Sequence, residues 1–418
     1  MTHSKDTEHK RQKAIIMLLL LLSVGSIGSQ GSLKAQNAAD HLKEQMVADG
    51  FENVAVVQHE SDYYVTYENN LHVWNVDELR NALEVAAQAV PDNARLHILT
   101  LKNKNPLLAT EVAAADWKAY RRGELSAKEM ESRLILNNNT DETYDILKDA
   151  KQTHSNIGKV DLVIVPGVGL KNERFTRTYE FQLNLAPTLE FSLWKGNYFR
   201  GQLILPIIND GYGDLYGKVR PGFLTIEQNI TLPQSTYLRL SAGHFNSYRR
   251  GIDGDLSHLF GNGDWEIGLN AGLTGYTLFD GFQYTSESLS DVSVLGHIRY
   301  FYQPLATELS LKGGQFYTGA KGVRAELVKH FREVTIGFFA LLGDGDTNGG
   351  FNFSVPLNIP KKYKRDLVRV KAANYFDWEY TYKQVDVPLG YYETRPNENH
   401  SEHFFNSGFM KNQLLKQN

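Results

Sequence analysis

The chain of 418 residues has no cysteine, no excess of positive charge and only one long apolar run. Without cysteine it can form no disulfide, thiolate zinc site or thiol nucleophile, and it cannot carry a lipid on an N-terminal cysteine. A formal net charge of −4 excludes a basic nucleic-acid-binding protein on electrostatic grounds. The apolar run, Ala14–Val24, is too short to span a bilayer as a helix. A helical membrane protein is therefore excluded as well.

The N-terminus has the pattern of a secretory signal peptide. Lys10, Arg11 and Lys13 precede the apolar run, and small and polar residues follow it as far as Ala35. A basic segment, a short apolar segment and a small residue before the cut are typical of such peptides. We expect 1–35 to be the signal peptide, with an uncleaved anchor as the alternative. The sequence thus predicts export across the inner membrane.

Residues 38–150 predict a small α/β domain with a linker. Ala38–Asp49 and Asp77–Val90 have apolar residues at helical spacing, and Asn75 is a candidate N-cap of the second helix. Ser126 and Glu129 have the spacing of a capping box, and Asn137–Asp141 is a polar break. The predicted strands are Val54–Val57, Tyr63–Tyr67 and Leu96–Leu101.

Residues 157–390 predict strand after strand, joined mostly by short turns. In Trp265–Tyr276, large apolar residues such as Ile267 and Leu269 alternate with polar or small ones such as Glu266 and Asn270. A strand directs alternate side chains to opposite faces, so one face is apolar and the other polar. A transmembrane strand needs about 9–11 residues, which is the length of this run.

These patterns predict a mainly β protein: an antiparallel transmembrane β-barrel of about 12 strands, within a range of about 10–14, preceded by a small α/β periplasmic domain. Aromatic residues such as Trp194 and Tyr300 lie near strand ends, as in interfacial girdles. A soluble β-sandwich gives the same alternation and stays open as an alternative. We place the barrel at 157–390 and a polar C-terminal tail at 391–418.

Eight polar residues on the predicted strands should line the lumen. They would either form a hydrophilic path that hydrogen-bonds sugar hydroxyls or charged sugars, or fill a narrow barrel with internal salt bridges. Alternation alone does not separate these two interpretations. The residues are Arg239, Glu266, Asn270, Arg299, Glu308, Lys312, Arg324 and Glu326.

Four other groups are weaker candidates for sites. Gly343–Gly350 has oxygen ligands at alternate positions, as in calcium loops, but lacks a later glutamate and is better explained as a hairpin turn. Gly251–His258 is interpreted as a loop at the barrel mouth or in the lumen rather than an acid/base cluster. His244, His258 and His297 could pair with a serine in a hydrolase, although no spacing selects a pair. His400–Phe405 resembles a metal site less than a mobile tail. We therefore expect no catalytic residue, metal or cofactor.

Several segments resemble the YjbH/GfcD-like family of outer-membrane barrels associated with exopolysaccharide or capsule export. The similar segments are Leu183–Gly196, Tyr248–Asp255, Gly314–Phe331 and Gly343–Leu357, which appear in the family's order and cover about residues 183–360. The chain departs from the family in lacking a lipid-anchor cysteine, in its short length and in its polar C-terminus.

The resemblance implies a non-enzymatic outer-membrane protein that assists exopolysaccharide or capsule export or surface assembly. Its N-terminal domain would lie in the periplasm, and its partners would be outer-membrane lipid, the polysaccharide and periplasmic export components, with no nucleic acid. A general porin or adhesin-like barrel for small solutes, and a soluble secreted β-rich protein or hydrolase, are the alternatives.

Overall fold

A computed structural model of the chain is mainly β and contains two sheets, one of five strands and one of fifteen. The predicted signal peptide and most of the His400–Phe405 group lie outside the residues that the structure describes. Within the described residues, no helix has both the length and the apolar character needed to cross a membrane. The described residues are 38–70, 72–171, 179–246, 248–357, 367–382, 389–396 and 404–416.

The first sheet and its helices form an α/β unit. Its strands are β1 (Glu52–His59), β2 (Asp62–Glu68), β3 (Arg95–Lys102), β4 (Asn105–Ala113) and β5 (Ile135–Asn137), paired in that order. Its helices are α1 (38–49), α2 (Asn75–Ala89), α3 (Ala114–Arg121), α4 (Ala127–Glu131) and α5 (Asp141–Leu147). Because β2 and β3 are parallel, the connection between them crosses over the sheet, and α2 forms it.

The periodic residues of this unit are buried in one core. Leu79 and Leu83 of α2 pack with Val65, Ile98 and Trp117, all of which are almost fully buried. The predicted helices and strands are present, and β4, β5 and α5 are additional. The predicted N-cap at Asn75 is wrong, because Trp74 occupies that position and is held by packing without a side-chain cap.

The end of the chain completes the same core. Residues 404–416 include α6 (Ser407–Leu415), whose Phe409, Met410 and Leu414 are buried against the α/β unit. The Asn406 side chain caps α6 by accepting a hydrogen bond from the backbone of Phe409. The sequence predicts a polar tail here, but this part of it is a docked helix because its few apolar residues share one buried face.

The large sheet contains long, antiparallel, mostly sequential strands. The first seven are β6 (Val160–Lys171), β7 (Glu180–Phe191), β8 (Asn197–Asp210), β9 (Arg220–Leu232), β10 (Thr236–His244), β11 (Arg249–Phe260) and β12 (Trp265–Asp280). The others are β13 (Gln283–Ser286), β14 (Asp291–Tyr302), β15 (Thr307–Gln315), β16 (Lys321–Phe331), β17 (Val334–Gly343), β18 (Asp346–Pro356), β19 (Val368–Ala372) and β20 (Tyr375–Thr381).

Both edges of this sheet belong to one stretch of chain. The path runs from β19 through β6 and the following strands to β18 and β20, while short β13 pairs with β12 alone. β19 pairs in parallel with β6, and β20 pairs antiparallel with β18, yet only Ala373 and Asn374 separate β19 from β20. No ladder that closes the sheet is found in the described part of the chain. The path has fourteen strands where about 12 are predicted.

The two faces of the sheet differ in chemistry. On β12, Ile267 and Leu269 are 45% and 50% exposed, whereas Asn270 and Thr274 are 8% and 0% exposed. Leu240 on β10 is also exposed. We call these the apolar face and the polar face. Other exposed apolar residues include Leu185, Leu189, Leu224, Ile226, Ile252, Leu256, Val292, Val294, Leu309, Leu311, Val323, Leu327, Phe338 and Leu342.

One prediction about an individual segment is wrong. Gly251–His258 is not a loop but the middle of β11, paired along its length with β10 and β12. Its glycines conceal the alternation, in which Ile252 and Leu256 are exposed and Asp253 is buried. Pro187 does not interrupt β7. It lies inside β7, opposite Ile164 of β6, and has no ladder partner on the β8 side.

Candidate functional site

The polar face of the large sheet gathers the predicted lumen residues into clusters. Glu266 and Arg299 are direct cross-strand partners on β12 and β14, an arrangement that favours opposite charges. Arg299 donates from Nη1 to Glu266 Oε2 at 3.1 Å, and its Nε lies 3.0 Å from Oε1 of fully buried Glu308. His297 approaches Glu266 at 3.2 Å. This first cluster therefore holds two carboxylates around one guanidinium.

The second cluster contains Arg324 and Glu326 of β16. Arg324 donates from Nη2 to Glu379 Oε2 at 2.8 Å and from Nε to Glu326 Oε2 at 3.3 Å. Its guanidinium lies over the Phe339 ring, 3.8 Å from the centroid. Asn352 donates its side-chain amide to Glu326. Salt bridging, one of the two interpretations left open by the sequence, accounts for the contacts of both clusters.

A third cluster was missed by the sequence reasoning. Arg200 of β8 contacts Glu190 of β7 at 3.2 Å and Glu227 of β9 at 3.0 Å, and Arg200 and Glu227 are nearly inaccessible to solvent. The alternation of Tyr198, Arg200 and Gln202 with Phe199, Gly201 and Leu203 carried the signal.

The remaining predicted residues, Arg239, Asn270 and Lys312, line one small cavity. Its volume is about 50 Å³, and Asp253 and Ser293 also line it. Asn270 donates to both carboxylate oxygens of Asp253, at 3.1 and 3.2 Å. The cavity offers hydroxyl, amide, carboxylate and cationic groups, which can hydrogen-bond a polar ligand.

A segment beyond the last strand crosses the polar face. We call Leu389–Pro396 the strap. Its residues contact side chains on strands that are far apart in the sheet order. Tyr391 contacts Glu379 of β20, Tyr392 contacts Asp253 of β11, Thr394 contacts Ser241 of β10, and Arg395 contacts Glu227 of β9.

The α/β unit and α6 cover one end of the sheet. Asn105 donates to the backbone of Asn229 at 2.8 Å, and the Gln234 backbone donates to Asp141 at 3.0 Å. Ser407 of α6 donates to the carbonyl of Asn262 at 2.7 Å. Gln234 and Asn262 lie in the β9–β10 and β11–β12 turns, which are at the same end of the sheet.

A second cavity, of about 180 Å³, lies where the α/β unit meets the sheet. Glu52 of β1 is paired with Lys159, the residue before β6, and accepts from Nη1 of Arg369 in β19 at 2.8 Å. These contacts bind the α/β unit to the first edge of the large sheet. Glu68 lines the same cavity, and burial raises its pKa to about 7. It accepts hydrogen bonds from the backbone of Lys104 and the amide of Asn156, both at 3.1 Å.

The weaker candidates have ordinary structural surroundings. In Gly343–Gly350, Asp344 lies in the turn between β17 and β18 and accepts a hydrogen bond from the backbone of Lys321 at 2.8 Å. His258 contacts Thr236, and His244 packs against Phe279. Among the described residues, no group of three or more His, Asp or Glu is placed to hold a metal ion.

The family described as exopolysaccharide biosynthesis protein YbjH matches residues 4–220 and 216–365. The chain belongs to this family. None of the curated proteins and none of the solved structures compared with the chain matches it.

Membership in the YjbH family confirms the resemblance seen in residues 183–360 and indicates a role in exopolysaccharide biosynthesis. The matched ranges include the α/β unit and the large sheet as far as β18. The strap and α6 lie beyond the match. Their contacts with the polar face and the α/β core therefore come from the structure alone.

Proposed function

We propose that the protein is a non-enzymatic outer-membrane β-barrel that assists the export or surface assembly of exopolysaccharide. Membership in the family supports exopolysaccharide as the polymer. The exposed apolar face of the large sheet supports a location in the outer membrane. The observation that carries the proposal is the inverted arrangement of the sheet, with apolar side chains exposed and charged side chains buried.

The apolar face supports contact with lipid. Soluble monomers rarely expose a contiguous apolar patch larger than a few hundred Å². Here exposed Leu, Ile, Val and Phe side chains recur on successive strands, including Leu224, Ile252, Leu269, Leu309 and Phe338. A bilayer removes the cost of exposing them, and strand pairing satisfies the backbone groups that lipid cannot.

The position of the two edges supports a curled sheet. Fourteen strands lie on the path, and at about 4.8 Å between neighbours a flat sheet would be ~60 Å wide. Ala372 ends β19 at one edge and Tyr375 begins β20 at the other. Three peptide units span at most ~11 Å. The edges must therefore approach each other, which favours a barrel in which the segment 368–381 fills the seam.

The polar face would then be the lumen, and the α/β unit would cover its periplasmic end. The unit would contact the polymer or periplasmic export components. The clusters around Arg299, Arg324 and Arg200 would hold the wall rigid, while the cavity beside Asn270 would provide hydroxyl-binding groups. The mechanism is a polar conduit or docking platform that makes and breaks hydrogen bonds with sugars.

Fractionation of cells that produce the full chain tests this proposal. We expect the protein in the outer membrane, extractable only with detergent, and migrating differently on gels before and after boiling. Deletion should reduce exopolysaccharide at the cell surface and leave small-solute uptake unchanged. Recovery as a detergent-free periplasmic protein would contradict the membrane location, and normal polymer secretion after deletion would contradict the role in export.

A further inference from the structure

The strap, Leu389–Pro396, lies where a ligand of the polar face would lie. Leu389 is anchored in an apolar cluster with Leu295, Phe316, Phe339 and Leu341. Beyond that anchor, the strap is held largely by hydroxyl, amide and carboxylate contacts with the wall. Asp253, which the strap contacts, lines the small cavity beside Asn270. Tyr391, Tyr392 and Thr394 of the strap line the same cavity.

Tyr392 makes the most specific of these contacts. Its hydroxyl donates to Asp253 Oδ2 at 2.9 Å and lies 3.3 Å from Ser293 Oγ. Its ring is stacked on Phe245, with centroids 5.4 Å apart and planes 7° apart. A Cβ atom at position 272 would collide with this hydroxyl, so Gly272 leaves the space that Tyr392 occupies.

The wall around Tyr392 has the chemistry of a sugar subsite. The Asp253 carboxylate and the Ser293 hydroxyl contact the Tyr392 hydroxyl, and the Asn270 amide donates to the same carboxylate. An aromatic face, that of Phe245, lies beside Tyr392 and would accept the apolar face of a sugar ring. Asp253 is the cavity's carboxylate, and the cationic residues Arg239 and Lys312 line it as well. The balance of charge therefore favours a saccharide that carries carboxylate groups.

We propose that the strap is the resident occupant of a saccharide-binding site on the polar face, and that an acidic polysaccharide segment competes with Tyr392 for it. This proposal rests on the proposed function for its substrate class. Hydrogen bonds to water replace those that Tyr392 loses on leaving, so each contact contributes modestly to holding it. The strap remains tethered by the anchor at Leu389 and by α6, which stays docked in the α/β core.

A disulfide lock tests the competition directly. The Oγ atom of Ser241 lies 3.5 Å from Oγ1 of Thr394, so cysteines at these positions are within reach of a disulfide. The chain has no cysteine of its own, so the bond in Ser241→Cys/Thr394→Cys is the only disulfide that can form within one chain. The reduced form of the same protein and the two single variants are the matched controls.

Binding is measured on detergent-solubilised full-length protein with two probes, a hyaluronan hexasaccharide and neutral maltohexaose. We expect the oxidised lock to weaken binding of the hyaluronan probe at least tenfold relative to the reduced form. Tyr392→Ala should strengthen it at least tenfold, and Tyr392→Phe less, because the ring remains on Phe245. Maltohexaose should bind more weakly than hyaluronan in every form.

Two results would overturn the proposal. One is equal affinity in the oxidised and reduced lock, and the other is no binding of either probe to Tyr392→Ala. The heat-modifiable migration of the same samples separates this failure from failure of the proposed function. Heat-modifiable migration with equal affinity in the oxidised and reduced lock would refute only the proposal about the strap. A protein that stays in solution without detergent would refute the barrel, whatever its affinity for the probes.

Discussion

The strands of both sheets have apolar and polar residues on opposite faces. The buried face is apolar in the small sheet and polar in the large one. In the α/β unit, Val65, Leu96 and Ile98 are fully buried, and the charged residues are mostly at the surface. In the large sheet, Leu269 is half exposed while Glu308 is fully buried. The same two-residue period therefore occurs with an apolar interior in one region and with a polar, buried face in the other. The environment of each face, and not the pattern, decides which residues are inside.

Removing Arg200 should have the largest effect on the large sheet. Arg200→Met leaves the carboxylates of Glu190 and Glu227 close together without their guanidinium. Loss of one partner of a buried ion pair costs about 3–5 kcal/mol. We expect the temperature at which the detergent-solubilised protein loses its heat-modifiable form to fall clearly.

Lys321→Met, at an exposed position of β16, is the control and should change that temperature little. Adding Glu227→Gln to Arg200→Met should recover part of the loss. If Arg200→Met behaves like Lys321→Met, the buried ion pairs of the polar face do not stabilise the large sheet.

A charge on the apolar face separates the two environments. In lipid, Leu269→Arg should cost about 2–4 kcal/mol and reduce the amount assembled in the outer membrane. In water, the same change at a half-exposed position would be nearly neutral. Quantifying the heat-modifiable band in outer-membrane fractions measures the effect.

Leu269→Met is the matched control because it keeps an apolar side chain of similar volume. Leu240→Arg should repeat the result on another strand. Undiminished assembly of both arginine variants would place this face in water.

The pH dependence of the α/β unit comes next. Burial raises the pKa of Glu68 to about 7, above the ordinary value of 4.5 expected in the unfolded chain. The folded state therefore binds the proton more tightly, and the contribution of Glu68 to stability is fully present below about pH 4.5 and lost as the pH rises to about 7. The loss is about 3 kcal/mol.

Hydrogen exchange of peptides from β2 and β3 between pH 5 and pH 8, corrected for intrinsic rates, measures this change. Glu68→Gln cannot titrate, so we expect its protection to vary less with pH than that of the unmodified chain. Parallel pH profiles for the two proteins would show that Glu68 does not titrate in this range.

The smallest expected effect is local to α4. The Ser126 side chain accepts from the backbone of Glu129, and Glu129 accepts from Ser126. Ser126→Ala should cost about 1 kcal/mol. Exchange should accelerate in peptides covering 126–134, whereas Ser132→Ala, at the exposed C-terminal end of the same helix, should leave them nearly unchanged. Faster exchange throughout the α/β unit would instead mean that α4 is not a local element.

The sequence predicts much of the local structure because that structure depends on neighbours. The alternation in Trp265–Tyr276 and the capping box at Ser126 need only a few adjacent residues. β11 was missed because Gly251 and Gly254 weaken the alternation, although the pairing partners on β10 and β12 impose extended structure. The docked helix α6 was missed because its short apolar face has meaning only beside the α/β core.

The candidate site was predictable in composition but not in arrangement. Alternation selects Glu266, Arg299 and Arg324 as residues of the polar face, and the structure groups them into ion-paired clusters. No pattern indicates that Tyr392 meets Asp253, because the two residues are 139 positions apart. Such contacts depend on where the whole sheet directs the chain after its last strand.

The ladder between β19 and β6 has a consequence for the order of assembly. Arg369 and its partner Asp161 are 208 positions apart, so almost the entire sheet must be synthesised before this pairing can form. Contacts of such long sequence separation form slowly. Until then β6 presents an unpaired backbone edge, which is a template for aggregation. A chain truncated before β19 would therefore keep this edge exposed permanently.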